Sequence, residues 1–294
     1  MRSPWTRIAV LSATLAALAL SGVPGWARAA PTHDRYVVSS DSVRLHLLEA
    51  GPPSGHTIVF VPGWAMPAWI WTGQVQAFSG VYHVVAFDPR GQGASDVPAV
   101  GYEPKRRAED IDDVIQHLGP DPVVLVAWSL GVLDALAYLH AHGDRHVAAL
   151  VLVDNSVGEE PPPVPLPRPL HFAPPLPHLQ AMRLFVRGLF AHPPGEAYLD
   201  RLTRASLHLP EAAARALRSY PQPRSYWRDA VYSTTRPILY VVRPRWAAQA
   251  ENLARNRPGT ESAVFINVGH ALFVDEPKRF NALLGDFIRR RVWP

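Results

Sequence analysis

The sequence predicts an α/β fold: a mostly parallel sheet with helices on both faces. Three observations carry that reading. Short, continuous apolar runs recur along the chain, and segments of helical periodicity lie between them. The runs lack the alternation of a half-solvated strand, as expected where helices cover both faces of a sheet. Sharp glycine-containing turns follow several of the runs. The 294 residues allow one large domain or two small ones. With 48% apolar and 18% charged residues, a mainly disordered chain is excluded.

In chain order, the first segment stands outside that sheet. Arg2 and Arg7 precede an apolar run over residues 8–20, followed by Gly22, Pro24 and Gly25 and then by Ala27-Arg28-Ala29. A positive start, a short apolar stretch and a small-x-small exit form the pattern of a secretory signal peptide, with cleavage expected after Ala29. The run is shorter than the roughly 20 residues of a membrane span. No stable membrane insertion is therefore expected after cleavage, and the mature chain is expected in the periplasm or outside the cell. The net charge is +4, but without Arg2, Arg7 and Arg28 the basic residues outnumber the acidic ones by one. No basic block remains to track phosphates, so no nucleic-acid partner is expected. The lack of cysteine excludes a disulfide framework, a thiolate metal site and a cysteine nucleophile.

Residues 35–40 and 43–49 read as two strands joined at Asp41, an antiparallel start. Residues 57–61, 82–87, 122–127, 147–153 and 237–242 follow as strands, and 263–268 is the last. Helical stretches lie at 68–78, 103–118, 130–141 and 277–291. Such alternation gives parallel strands with crossover helices, and ligands then bind beyond the carboxyl ends of the strands. One region breaks the pattern. Residues 158–177 include nine prolines among 20 positions, a stiff extended strap, for which a disordered linker is the competing reading. Amphipathic helical patterns follow at 179–190, 196–207 and 210–219. The expected organisation is a helical cap over residues 155–235, inserted between core segments 30–154 and 236–294.

The residues just after the strands carry the chemistry. Ala127-Trp128-Ser129-Leu130-Gly131 ends a buried strand and opens a helix. A serine on a sharp strand-to-helix turn has its hydroxyl thrust out at the sheet edge, and the turn needs small residues two before and two after it. Its place at a helix N-terminus favours developing negative charge; a serine there can equally serve only as a helix cap. Gly269-His270 follows the last strand, which puts an imidazole at the same edge. Val61-Pro62-Gly63-Trp64 ends the third strand. Gly63 permits close backbone approach, and the Trp64 and Leu130 amides form a candidate oxyanion hole, worth about 3–4 kcal/mol per donor. Asp88-Pro-Arg-Gly-Gln-Gly-Ala-Ser95 lacks the third glycine of a phosphate loop, so Asp88 and Arg90 are expected to hold loops. His140, His142 and His146 fall at the far end of the elbow helix, and no metal is expected there. Trp128, Leu184 and Phe185 are candidates for an apolar substrate pocket.

Together these motifs resemble the α/β-hydrolase superfamily, from about residue 35 to the end. The matching pieces are Pro62-Gly63-Trp64, the turn from Asp88 to Ser95, Trp128-Ser129-Leu130-Gly131, and Gly269-His270 with Glu276-Pro277 behind it. The resemblance looks closest to the capped esterase and non-haem haloperoxidase-like branch. It implies an eight-stranded sheet with a cap between strands six and seven, Ser129 as nucleophile, His270 as base, and Trp64 and Leu130 as amide donors. It implies no cofactor and no metal.

Two departures stand out. Pro62 replaces the histidine common at the oxyanion turn, which removes an amide that the hole does not use. More seriously, the family commonly has an acid shortly after strand seven, where this chain reads Arg243-Pro244-Arg245-Trp246. A histidine base without a carboxylate loses tautomer control and support for its charged form. Asp154, which closes strand six, is the expected substitute; Glu159, Glu160 and Glu251 remain candidates. Haloalkane dehalogenases resemble this arrangement of the acid but use an aspartate nucleophile, unlike Ser129. The expected activity is cleavage of small carboxylic esters through an acyl-enzyme. Lactone, amide or C–C hydrolysis, perhydrolysis, and a non-catalytic binding protein on the same fold are the alternatives. The expected partner is a small-molecule ester; the oligomeric state is not set by sequence.

Overall fold

A computed structural model of the chain describes residues 29–162 and 176–294. The expected signal segment up to Arg28 and the central part of the proline-rich strap lie outside the described residues. Eight strands form one sheet: β1 (Thr32–Val38), β2 (Arg44–Ala50), β3 (Thr57–Val61), β4 (His83–Phe87), β5 (Val123–Trp128), β6 (Val147–Val153), β7 (Ile238–Val242) and β8 (Thr260–Val264). Their order is β1-β2-β4-β3-β5-β6-β7-β8. β2 runs antiparallel to β1 and to β4, and all the other pairs are parallel.

The helices are α1 (Thr72–Phe78), α2 (Pro104–Leu118), α3 (Leu130–His142), α4 (His178–Arg187), α5 (Glu196–Ser206), α6 (Glu211–Ala216), α7 (Arg224–Ser233), α8 (Ala247–Asn256), α9 (Leu272–Asp275) and α10 (Pro277–Arg291). A 3-10 turn, Ala68–Trp71, leads into α1, and another, Pro244–Trp246, leads into α8. The continuous apolar runs have a direct cause in this arrangement. Val59, Val61, Leu125 and Ala127 point into a core shared with α2 and α3. Ile58, Phe60, Val124 and Val126 point into the opposite core, shared with α1 and α10. Both faces of the central strands are dry, and each such valine, leucine, isoleucine or phenylalanine contributes about 1.5–3 kcal/mol of burial. Helices α4–α7 form the insert between β6 and β7.

The elements differ from expectation at the sheet margins and in the insert. β8 spans Thr260–Val264 rather than 263–268. It is an edge strand pairing only with β7, Ile238 to Thr260 through Val242 to Val264, so it needs no continuous apolar run. β1, the other edge, begins earlier, at Thr32, and is mostly exposed. Helices α7 and α8 fall outside the stretches read as helical from the sequence. α7 nevertheless buries Trp227, Ala230 and Val231 in the α3 core, and α8 buries Ala250 and Leu253 there. Among the described residues no helix is long and apolar enough to cross a membrane.

The loop after β4 is an electrostatic staple. Asp88 accepts hydrogen bonds from the amides of Ala68 and Ala94 and from His46 Nδ1. Arg90 is fully buried and pairs with both oxygens of Asp110, each at 2.6 Å, and with Asp41 at 2.9 and 3.0 Å. The Arg90 hydrogen bond, outweighing desolvation, holds the Asp41 carboxyl down at about 2. This turn fixes the β3 loop as well, because Gln92 accepts from the Ala65 amide at 2.6 Å and donates to the Gly63 carbonyl at 3.2 Å. Arg90→Leu is expected to cost about 3–5 kcal/mol in urea-unfolding stability, because it strips two short charge-assisted bonds from the buried Asp110 and leaves it only the longer contact with Arg106 at 3.2 Å. A loss below about 1 kcal/mol would contradict the staple.

Candidate active site

Ser129 follows β5 with φ 55° and ψ −120°, a left-handed region that a serine occupies only under constraint. The constraint is packing. A Cβ on Gly131 would lie 2.8 Å from the carbonyl oxygens of Val61 and Pro62, and one on Gly63 would lie 2.9 Å from Ser129 Cβ. Only glycine lets β3 and the start of α3 approach so closely. Behind the turn, Asn155 donates to the Ser129 carbonyl at 2.8 Å, and Tyr240 donates to the Asn155 carbonyl at 2.6 Å.

Three side chains converge at this turn. His270 Nε2 lies 2.8 Å from Ser129 Oγ, and His270 Nδ1 lies 2.6 Å from Asp154 Oδ2. With Nδ1 as the N–H donor to Asp154, Nε2 is free to accept the serine proton. Asp154 closes β6 with φ 51°, and its side chain is fully buried. Burial pushes its carboxyl up, but the His270 hydrogen bond and the Arg243 charge outweigh that and hold it below the ordinary carboxylate value. The other acids stand apart from the ring. Glu159 bonds Tyr232 at 2.5 Å and Asn252 at 3.0 Å. Glu160 lies 3.7 Å from Arg224, and Glu251 is exposed on α8.

Arg243, at the end of β7, escapes the sequence reading. Its amide donates to Asp154 Oδ1 at 2.9 Å, and its Nε donates to Oδ2 at 2.6 Å. The strand end that lacks an acid thus supplies a cation to the acid of the neighbouring strand. The available signal was a cation immediately after a buried strand, in a stretch that lacks the expected carboxylate.

The loop carrying His270 is clamped from both sides. Trp128 Nε1 donates to the His270 carbonyl at 2.9 Å. Asp275 accepts from the Gly269 amide at 2.6 Å and the Ala191 amide at 2.8 Å. The Ala271 amide donates to the Leu189 carbonyl, just beyond α4, at 2.8 Å. Gly269 makes that approach possible, because a Cβ there would lie 2.3 Å from the Leu189 carbonyl oxygen.

Above the three groups lies a cavity of about 760 Å³ that Ser129 and His270 line. Trp64, Trp128, Leu130 and Phe185 line it too, with Met182 and Leu189 from the α4 side. Among the described residues neither the Trp64 nor the Leu130 amide donates a hydrogen bond. Leu184 is a correction: it is 60% exposed and does not line the cavity. Its helix presents Ala181, Met182 and Phe185 inward. At about 100° per residue, Leu184 lies roughly 200° round from Met182, on the outer face. His140, His142 and His146 sit apart from the site. His140 packs on Tyr226 with ring centroids 4.1 Å apart, and His142 lies 3.4 Å from Glu109.

A sheet of this order, a strained serine turn and a histidine after the last strand define a hydrolase-type α/β protein. The chain belongs to the alpha/beta hydrolase family, whose sequence profile matches residues 58–283. A solved structure of a Burkholderia cenocepacia protein assigned as an aryl esterase is 29% identical, with a TM-score of 0.76, covering 87% of this chain and 98% of that one. A soluble epoxide hydrolase of Corynebacterium sp. is 29% identical over 128 residues, 43% of each chain. A non-heme chloroperoxidase of Streptomyces lividans is 32% identical over 118 residues, 40% of this chain and 43% of that one. The chain thus matches less than half the length of these two curated relatives.

Fluorophosphonate labelling reads the serine directly. Wild-type protein is expected to react and Ser129→Ala not to. Arg243→Met is expected to slow labelling about tenfold, since it removes a charge-assisted bond from a buried carboxylate. Glu159→Gln is expected to label at the wild-type rate; slow labelling there would place the acid wrongly.

Proposed function

We propose that this protein is an exported serine hydrolase of small carboxylic esters. The observation that carries the reading is the continuous chain from Ser129 Oγ through His270 to Asp154, with contacts of 2.8 and 2.6 Å. Ser129 Oγ attacks the ester carbonyl while its proton passes to His270 Nε2. The carbonyl oxygen becomes an oxyanion facing the Trp64 and Leu130 amides. Collapse of the adduct breaks the C–O bond, and His270 returns the proton to the departing alcohol. Water, deprotonated by His270, then attacks the acyl-enzyme and releases the acid. Asp154 holds the Nδ1–H tautomer and supports the imidazolium as it forms.

Acyl transfer fits a serine better than the epoxide opening named for one relative. Attack by Ser129 on an epoxide carbon would leave an ether, which has no acyl carbon for water to attack. The apolar wall of Trp64, Trp128 and Phe185 supports a substrate with an apolar acyl or alcohol part. The composition of residues 1–29 supports export.

The test is hydrolysis of 4-nitrophenyl butyrate by the chain from Ala30 onward. Wild-type protein is expected to show a nitrophenol burst, the mark of an acyl-enzyme. Asp154→Asn is expected to lower kcat by about 10³–10⁴-fold, and Ser129→Ala by at least as much. Equal turnover by wild type and Ser129→Ala would reject the serine mechanism.

A further inference from the structure

The cavity above Ser129 is apolar over most of its wall, but it carries cations where α6 and the turn after it close it. Arg215, Arg218 and Arg224 all line it, and Glu211 is the one acid among the described residues lining it. Two of these arginines are committed. Arg215 lies 3.3 Å from Glu211. Arg224 donates to the carbonyls of Gly158 and Glu159 and stands 3.7 Å from Glu160. Arg218 differs. Among the described residues its guanidinium forms no ion pair; it lies over the Trp64 indole, with Cζ 4.9 Å from the ring centroid. Residues 1–28 and 163–175 contain no aspartate or glutamate.

The platform beneath Arg218 is fixed. Trp64 Nε1 donates to the Ala214 carbonyl at 2.8 Å, and Phe185 packs edge-on against the indole with centroids 5.0 Å apart. A planar cation resting on a held ring keeps its N–H edges for an acceptor alongside. Tyr220 lines the same cavity. Trp64 joins the two ends of the cavity, with its backbone beside Ser129 and its ring beneath Arg218.

We propose that Arg218 receives a carboxylate of the substrate. The substrates are then esters that bear a free carboxylate remote from the scissile bond, such as half-esters of short dicarboxylic acids. The scissile-bond part of this statement rests on the ester-cleaving reading above; the anion part rests on Arg218 alone.

Two measurements separate those parts. The first compares kcat/KM for mono-4-nitrophenyl glutarate and for its neutral methyl 4-nitrophenyl diester. Wild type is expected to favour the anionic ester about tenfold, the weight of one charge-assisted hydrogen bond. Arg218→Met is expected to abolish that preference, Arg218→Glu to reverse it, and Arg218→Lys to retain part of it. The second measures calorimetric binding of 4-phenylbutyrate against 4-phenylbutyramide and needs no turnover. Tighter binding of the carboxylate by wild type, lost in Arg218→Met, supports the anion site even if neither ester is cleaved, in which case the ester reading fails alone. Equal handling of charged and neutral ligands by wild type, or a preference that survives Arg218→Met, overturns the proposal.

Discussion

Asp154 carries a charge in a place where water does not reach. Its side chain is fully buried, its backbone is left-handed, and an isolated carboxylate there would be neutralised or would destabilise the fold by several kcal/mol. Two partners on two different strands meet the cost. The imidazole after β8 bonds one oxygen, and Arg243 after β7 bonds both. The three strand ends at this edge are thereby tied by one anion. A buried charge with fixed partners also accepts only one arrangement of them, so the position of the imidazole relative to the serine follows from electrostatics as much as from packing.

That arrangement explains an oddity of the chain, the loss of the usual acid after strand seven. The carboxylate that meets the imidazole lies instead at the end of the neighbouring β6, and the end of β7 holds its counter-ion. The carboxylate therefore does not face the imidazolium of the reaction as the sole compensation for its own burial. It is already held as an anion before any proton moves, which is the condition for orienting the Nδ1–H tautomer.

Much of this was legible in the residues, and the limits of legibility have physical causes. The turns around Gly63, Ser129 and Gly131 were readable because the close approach of β3 and α3 leaves room for nothing larger, and that constraint is local. The dry central strands were readable because both faces are covered. β8 was misplaced because an edge strand, bonded on one side, carries no apolar run. Leu184 was misjudged because counting apolar residues does not fix a helix's rotation. Arg243 was unreadable as a partner of Asp154, since 89 residues separate them and only the sheet order makes them neighbours.

The tie between Leu189 and the two residues flanking His270 has a consequence for traffic. The roof at α4 is stitched to the base-bearing loop through the Ala271 amide and the Asp275 clamp. If that side of the roof swung open, it would drag the imidazole away from the hydroxyl and switch the chemistry off. A passage that leaves this centre intact therefore has to lie away from the α4 end of the insert.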